Sequence, residues 1–278
     1  MSVASDSGKQ YHLECTGLAL DTVKKHSAKE DITLFGSCFC PFVQRVWVSF
    51  EFLSIPYQVN EADPYKKPRD LLEVSPKGLV PGLKFNTCNP PRALNESTVI
   101  MEDLEDLSAR TASSTLLPPL TDPYARALVR LQADHVNRAL VPTFYRFLQA
   151  QDTATQIETS KKLHATLEEL VSLLERADRE TEAGSGLWKE GGTLNWTDVM
   201  ANHVWLFRTI NVLKHYRAFD LPVGPRFAAW LHRIFEHPAF KSTCSTEQLY
   251  LDSYERYAYN RPNTSQVANA INSGQPLP

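Results

Sequence analysis

No apolar run in this 278-residue chain approaches the roughly 18 residues that span a bilayer. The longest candidates are broken by Arg, Asn or His. The first dozen residues, Met1 to His12, are polar and lack the apolar centre of a secretory leader, so a cytoplasmic protein is expected. Charge of one sign is lacking too. The 29 Lys and Arg and 32 Asp and Glu are interspersed, for a formal net charge of -3, a pattern that attracts neither nucleic acid nor an anionic membrane. Cysteine is sparse: Cys15, Cys38, Cys40, Cys88 and Cys244 are odd in number and scattered along a chain large enough to need no stapling. That favours a reducing compartment over a disulfide framework. No Cys or His pair stands at finger-like spacing, and Cys38 with Cys40 alone supplies half a site, so no metal is expected. What the chain does have is an apolar content of 42%, which supports a full core in two modest domains or one large one.

From Ile32 to Asp106, short apolar runs alternate with amphipathic stretches. Ile32 to Phe35, Pro41 to Leu53 and Pro56 to Asn60 read as a βαβ opening. A short helix from Pro68 to Val74 follows, then two strands, Gly82 to Phe85 and Arg92 to Asn95, flanking the turn-rich insert Asn86 to Pro91. Ser97 to Leu107 closes the half as a helix, with Ser97 as its N-cap. The order is β-α-β-α-β-β-α. Between Ser108 and Pro123 the composition turns to Ser, Thr and Pro, as in a connection between domains. The expected division is an extension over 1–30, an α/β domain over 31–107, a linker over 108–122, an all-helical domain over 123–260 and a tail over 261–278.

In the second half, Tyr124, Leu128, Leu131, His135 and Ala139 recur at helical spacing, as do Leu163, Leu167, Leu170 and Leu174. Pro142 should end or kink the first of these helices. Gly184 to Gly192 reads as a loop around Trp188. Asn195-Trp-Thr-Asp198 is a capping arrangement before an apolar helix from Val199 to Leu213, and Arg226 to His237 adds another helix, stopped by Pro238. The tail, polar and punctuated by Pro, reads as frayed or surface-draped.

Chemistry concentrates at the first strand-helix junction, Gly36-Ser-Cys-Phe-Cys-Pro-Phe-Val-Gln-Arg45. Pro41 suits the first helical position, where its missing N–H is no loss, and this makes Cys40 the residue that caps the helix start. A sulfur there faces free N–H groups and the positive end of the helix dipole, which favour thiolate over thiol. Most free cysteines are buried filler, but filler has no need of a strand-Cys-Pro-helix junction. Cys38, two residues upstream and too close for an easy disulfide with Cys40, reads as structural. Further on, Gly78-Leu-Val-Pro-Gly82 lies just before a strand. Its surroundings point to a cis Val80–Pro81 bond, against the base rate for such bonds.

Cys40-Pro-Phe-Val-Gln-Arg45, Lys67-Pro68, Gly78-Leu-Val-Pro81 and Asn95-Glu-Ser97, in this order and spacing, resemble the omega-type glutathione transferases of the thioredoxin-fold superfamily. The resemblance is close in the front half and looser in the helical half. It implies the cytosolic glutathione transferase architecture, a thioredoxin-like domain followed by an all-α domain, with glutathione as co-substrate and no metal. Cys40 would face the glutathione sulfur, with Phe42 close by. Lys67, otherwise an ordinary surface lysine, would pair with the glycyl carboxylate. Leu79, Val80 and Pro81 would line the tripeptide, Val80 bonding it through the main chain. Glu96 and Ser97, otherwise a plain helix cap, would receive the γ-glutamyl end.

The resemblance further implies thiol transfer through a mixed disulfide, including deglutathionylation and dehydroascorbate-type reduction, and a homodimer. Ser37 stands close enough to be a rival hydroxyl for glutathione conjugation. A carrier that sequesters hydrophobic or phenolic compounds is a further reading, and a relative of the chloride intracellular channels a more distant one. The acceptor pocket would be walled by Phe144, Tyr145, Trp196, Trp205 and Phe207, each of which could equally be plain core.

Overall fold

A computed structural model of the chain describes residues 6–110, 114–201, 212–220 and 224–278. These form two compact bodies, neither of them one continuous stretch. The first comprises His12–Leu116 and Glu236–Leu249; the second comprises the segment ending at Tyr11, Leu117–Phe235 and Tyr250–Pro278.

In chain order the first body carries α1 (Gly17–Lys25), β1 (Ile32–Gly36), α2 (Pro41–Leu53), β2 (Gln58–Glu61), α3 (Arg69–Val74), β3 (Gly82–Phe85), β4 (Arg92–Asn95) and α4 (Ser97–Ala109). From β1 onward this is the expected thioredoxin-like order. The strands form one sheet in the order β2-β1-β3-β4, with β2 parallel to β1 and the other two pairings antiparallel. β1 is buried throughout, as suits a central strand covered on both faces. α2 lays Val43, Val46, Trp47, Phe50 and Leu53 into the core and ends on Ser54 in the left-handed region, at φ 55°.

The segment read as an extension contains α1. Its Thr22 hydroxyl donates to the Ser242 carbonyl at 2.7 Å and its Ala19 N–H to the Cys244 carbonyl at 3.2 Å. Both acceptors lie in the returning segment Glu236–Leu249, which carries α11 (Pro238–Lys241). No sequence periodicity announces that return. It is fixed by these hydrogen bonds to backbone carbonyls.

The second body is helical: α5 (Pro123–His135), a π turn (Val136–Leu140), α6 (Val141–Gln149), α7 (Thr153–Glu180), α8 (Trp196–Ala201), α9 (Lys214–Arg217), α10 (Pro225–Glu236), α12 (Glu247–Ala258) and α13 (Gln266–Asn272). The leucine stripe of α7 is buried as the spacing predicts. The α5 stripe is not the expected one: Tyr124 and Leu131 are exposed, while Ala125, Leu128, Val129, Gln132 and Ala133 are buried. Gln132 accounts for the difference. It accepts from the Thr197 hydroxyl at 2.5 Å and donates to the Leu173 carbonyl at 3.2 Å, so a polar residue occupies the inward face that hydropathy would assign to an apolar one.

Pro142 neither ends the helix nor simply bends it. The chain passes from α5 to α6 through the π turn just before it, which accommodates the missing N–H. The tail, expected to be frayed or surface-draped, carries α13, with Ala268 and Ile271 buried. Of the helix expected over 199–213, residues 202–211 lie outside the described residues.

The capping arrangement is present and more connected than a cap requires. Asp198 N–H donates to Asn195 Oδ1 and Asn195 N–H to Asp198 Oδ2, both at 3.0 Å. The same carboxylate accepts from Leu187 N–H at 2.9 Å and, on Oδ1, from the Trp230 indole at 2.8 Å. Gly186, at φ 53°, passes so close that an added Cβ would lie 2.3 Å from Asp198 Oδ2. Burial pushes the Asp198 carboxyl up to about 6, against the lowering effect of these donors.

Asp198→Ala strands the three donors and should cost about 3 kcal/mol or more, read as a lower urea midpoint at neutral pH. An acid whose native pKa is raised contributes fully below its unfolded value and loses that contribution as pH rises. The stability of the parent relative to Asp198→Asn should therefore fall between pH of about 4 and about 6.

Candidate active site

The sheet register brings the segments singled out in the sequence to one end of the sheet. Phe35 at the end of β1 faces Gly82 at the start of β3, and Gly82 faces Asn95 at the end of β4. Gly36 likewise faces Glu61, the last residue of β2. Four connections therefore leave from the same edge: Ser37–Cys40 after β1, the Lys67 loop after β2, Val80-Pro81 before β3 and Glu96-Ser97 after β4.

Cys40 is the N-cap of α2, with extended φ and ψ of -75° and 122° and Pro41 at the first helical position. Its N–H donates to the Ser37 carbonyl at 3.0 Å, and its own carbonyl accepts from Gln44 N–H at 3.2 Å, so turn and helix meet at this residue. Its Sγ is 3.7 Å from the Val80 carbonyl oxygen, and Val80–Pro81 is cis, as expected from the sequence. Cys40 is partly exposed, whereas Ser37 and Cys38 are 6% and 7% exposed. Cys38 donates its thiol to the His12 carbonyl at 3.2 Å, a structural placement.

The rest of the motif braces this junction. The guanidinium carbon of the buried Arg45 lies 5.0 Å from the centre of the half-buried Phe42 ring. Gln44 Nε2 donates to the Thr243 carbonyl at 3.3 Å and lies 3.1 Å from Cys244 Sγ, tying α2 to the returning segment. Phe39 stacks on Tyr65 at 6.1 Å, which joins the Cys40 loop to the loop that carries Lys67. Sequence reading missed Tyr65, and it assigned no role to Gln44 within the motif or to Cys244 among the cysteines. The only local signal is the turn at Asp63, whose Oδ1 accepts from Tyr65 N–H at 2.9 Å and Lys66 N–H at 3.2 Å.

Lys67 donates its ammonium to the Lys77 carbonyl at 2.8 Å, and its stem lies over Gly78, where an added Cβ would be 2.6 Å from Lys67 Cδ. Gly78 has φ 63°, so both its shape and its torsion call for glycine. Leu79 N–H donates to Ser75 Oγ at 3.1 Å, and Val80 packs on Phe35, Leu71 and Val74. Pro81 is buried.

The helix cap after β4 is Glu96 and not Ser97, which is the first residue of α4 and is buried. Glu96 is exposed at φ 71° and ψ 112°, outside the regions L-residues ordinarily occupy. Such strain is retained where the surroundings hold it for a purpose, and here it turns an acidic residue outward at the sheet's end. Phe144, Tyr145 and Trp196 are buried within the helical body, and Trp205 and Phe207 lie outside the described residues. Among the described residues no group of three or more His, Cys, Asp or Glu could hold a metal ion, and no helix is long and apolar enough to cross a membrane.

A four-stranded thioredoxin-like sheet and a separate helical body together define the cytosolic glutathione transferase fold. Comparison with known proteins agrees. The family model described as glutathione S-transferase, N-terminal domain, matches residues 34–112. Glutathione transferase Omega 3C from Trametes versicolor is 32% identical, with 89% of this chain and 98% of that one covered and a TM-score of 0.74. Glutathione S-transferase U17 from Arabidopsis thaliana is 26% identical over 77% of this chain and 90% of its own length. The dehydroascorbate reductase of Chlamydomonas reinhardtii shares the fold at 22% identity, with 83% of this chain and 100% of that one covered and a TM-score of 0.62. The chain belongs to the glutathione transferase family and is a transferase of that kind.

Because Glu96 is held in a left-handed torsion, Glu96→Gly should be no less stable than the parent, and within about 1 kcal/mol of it, in urea unfolding. A marked loss of stability would show that the torsion carries no strain.

Proposed function

We propose that the chain is a glutathione-dependent thiol transferase in which Cys40 forms a mixed disulfide with glutathione. The observation that carries this reading is the partly exposed Cys40 sulfur at the start of α2, 3.7 Å from the carbonyl of Val80. Free N–H groups at a helix start favour a sulfur anion, the form that attacks a disulfide. Val80 offers main-chain groups to an extended peptide. Glu96 and the start of α4 suit the amino and carboxylate groups of a γ-glutamyl end, and the Lys67 ammonium suits the carboxylate at the other.

In the first step the Cys40 thiolate attacks the glutathione sulfur of a mixed disulfide R–S–S–G. A sulfur–sulfur bond forms between Cys40 and glutathione, the RS–SG sulfur–sulfur bond breaks, and RS⁻ leaves as thiolate to take up a proton as RSH. A second glutathione, as thiolate, then attacks the glutathione sulfur on Cys40. Oxidised glutathione leaves, Cys40 is released as thiolate, and the second glutathione's proton balances the one taken by R. Reduction of dehydroascorbate uses the same two glutathiones as its source of two electrons. The burial of Ser37 supports sulfur over hydroxyl chemistry at this junction.

Cys40→Ser should reduce turnover of a glutathionylated peptide to background while the protein still binds immobilised glutathione, and Ser37→Ala should leave turnover within about threefold of the parent. Full turnover by Cys40→Ser would sink the mechanism.

A further inference from the structure

The segment from Asp63 to Lys84 runs against the charge of the chain as a whole. It has five Lys and Arg against three Asp and Glu, where the full sequence has 29 against 32. Two of its three acids are occupied. Asp63 Oδ1 accepts from the Tyr65 and Lys66 N–H groups, and Glu73 lies 3.4 Å from Arg69 and 3.7 Å from Lys84. The third, Asp70, is exposed in the first turn of α3. The positive excess therefore rests with Lys66, Lys67 and Lys77.

These lysines meet where the loop after β2 lies against the loop before β3. The Lys67 stem packs over Gly78 and its ammonium donates to the Lys77 carbonyl at 2.8 Å, so Lys66 and Lys77 flank one junction, and both are exposed. The junction is tied to the reactive thiol from two sides. Phe39, next to Cys40, stacks on Tyr65, next to Lys66. The Val80 carbonyl, 3.7 Å from Cys40 Sγ, belongs to a residue three positions beyond Lys77, a reach of about 11 Å at full extension. An extended peptide whose cysteine reacts at Cys40 covers that same span with its residues about two to four positions away.

We propose that Lys66 and Lys77 select acidic segments, so that the preferred substrate is a glutathionylated cysteine flanked within a few residues by Asp or Glu. This rests on the thiol-transfer reading of Cys40, in which the glycyl carboxylate of glutathione is answered by Lys67 and leaves the other two ammonium groups to the rest of the substrate. Exposed ion pairs hold little by themselves. The effect is on encounter, since complementary charge speeds association and salt removes the gain.

The test is kcat/KM, with glutathione as reductant and the uncatalysed exchange subtracted, for three glutathionylated peptides that differ only in flanking Glu, Ser or Lys. The mixed disulfide of glutathione and mercaptoethanol serves as a substrate without flanks. At low salt the parent should turn over the Glu peptide about tenfold faster than the Lys peptide, with the Ser peptide between them. Raising the salt to about 0.5 M should close the gap, a readout on the parent alone. In the double variant Lys66→Glu, Lys77→Glu the order of the peptides should reverse, while the mercaptoethanol disulfide stays within about threefold of the parent. Equal kcat/KM for the three peptides in the parent, or an unchanged preference in the variant, overturns this proposal alone when the mercaptoethanol disulfide is still turned over. No turnover of any of the four substrates overturns it together with the thiol-transfer reading.

Discussion

The antiparallel pairing of β3 with both β1 and β4 is the constraint on which the site depends. It sets Phe35, Gly82 and Asn95 in one row across the sheet, so that the residues just beyond them converge. A slip of one residue in the pairing of β3 with β1 would turn Leu83, now fully buried, to the opposite face and carry Pro81 away from Cys40. Register is strongly specified here because β1 is buried along its whole length. The convergence of these segments is thus a by-product of core packing, and only Cys40, the cis proline and the strained Glu96 are additions to it.

Much of this was legible in the chain. β3, β4 and α2 fall on the predicted bounds because each is fenced by strong local signals: Gly82, the turn-rich Asn86 to Pro91, and Pro41. Cys40 and cis Pro81 were legible for the same reason, since a helix-start cysteine and a proline before a strand are local patterns. The bonds of Gln44 to Thr243 and of α1 to the segment near Cys244 were not. They join residues about 200 positions apart, and no periodicity encodes them. Glu96 was displaced by one residue from the predicted cap because a positive φ at a glutamate runs against backbone preference.

The helical body shows where hydropathy fails as a guide to burial. Gln132, Thr197 and Asp198 are buried polar residues, and each is satisfied by named partners. Their presence shifted the α5 stripe away from its apolar reading, and the same α5 gives way at its end to a π turn ahead of Pro142. Polar atoms in this core determine which helix face turns inward. A fully satisfied buried network rigidifies and specifies such an arrangement more strictly than apolar contact alone.

The central claim is that one sulfur, at the start of α2, receives glutathione. Peptide mapping by mass spectrometry, after brief incubation of the reduced protein with oxidised glutathione at neutral pH, tests it directly. The account predicts a glutathione adduct on the peptide carrying Cys40, with Cys15 and Cys38 unmodified because they are buried. An adduct that forms first at Cys88 or Cys244, or no adduct on any cysteine, would contradict it.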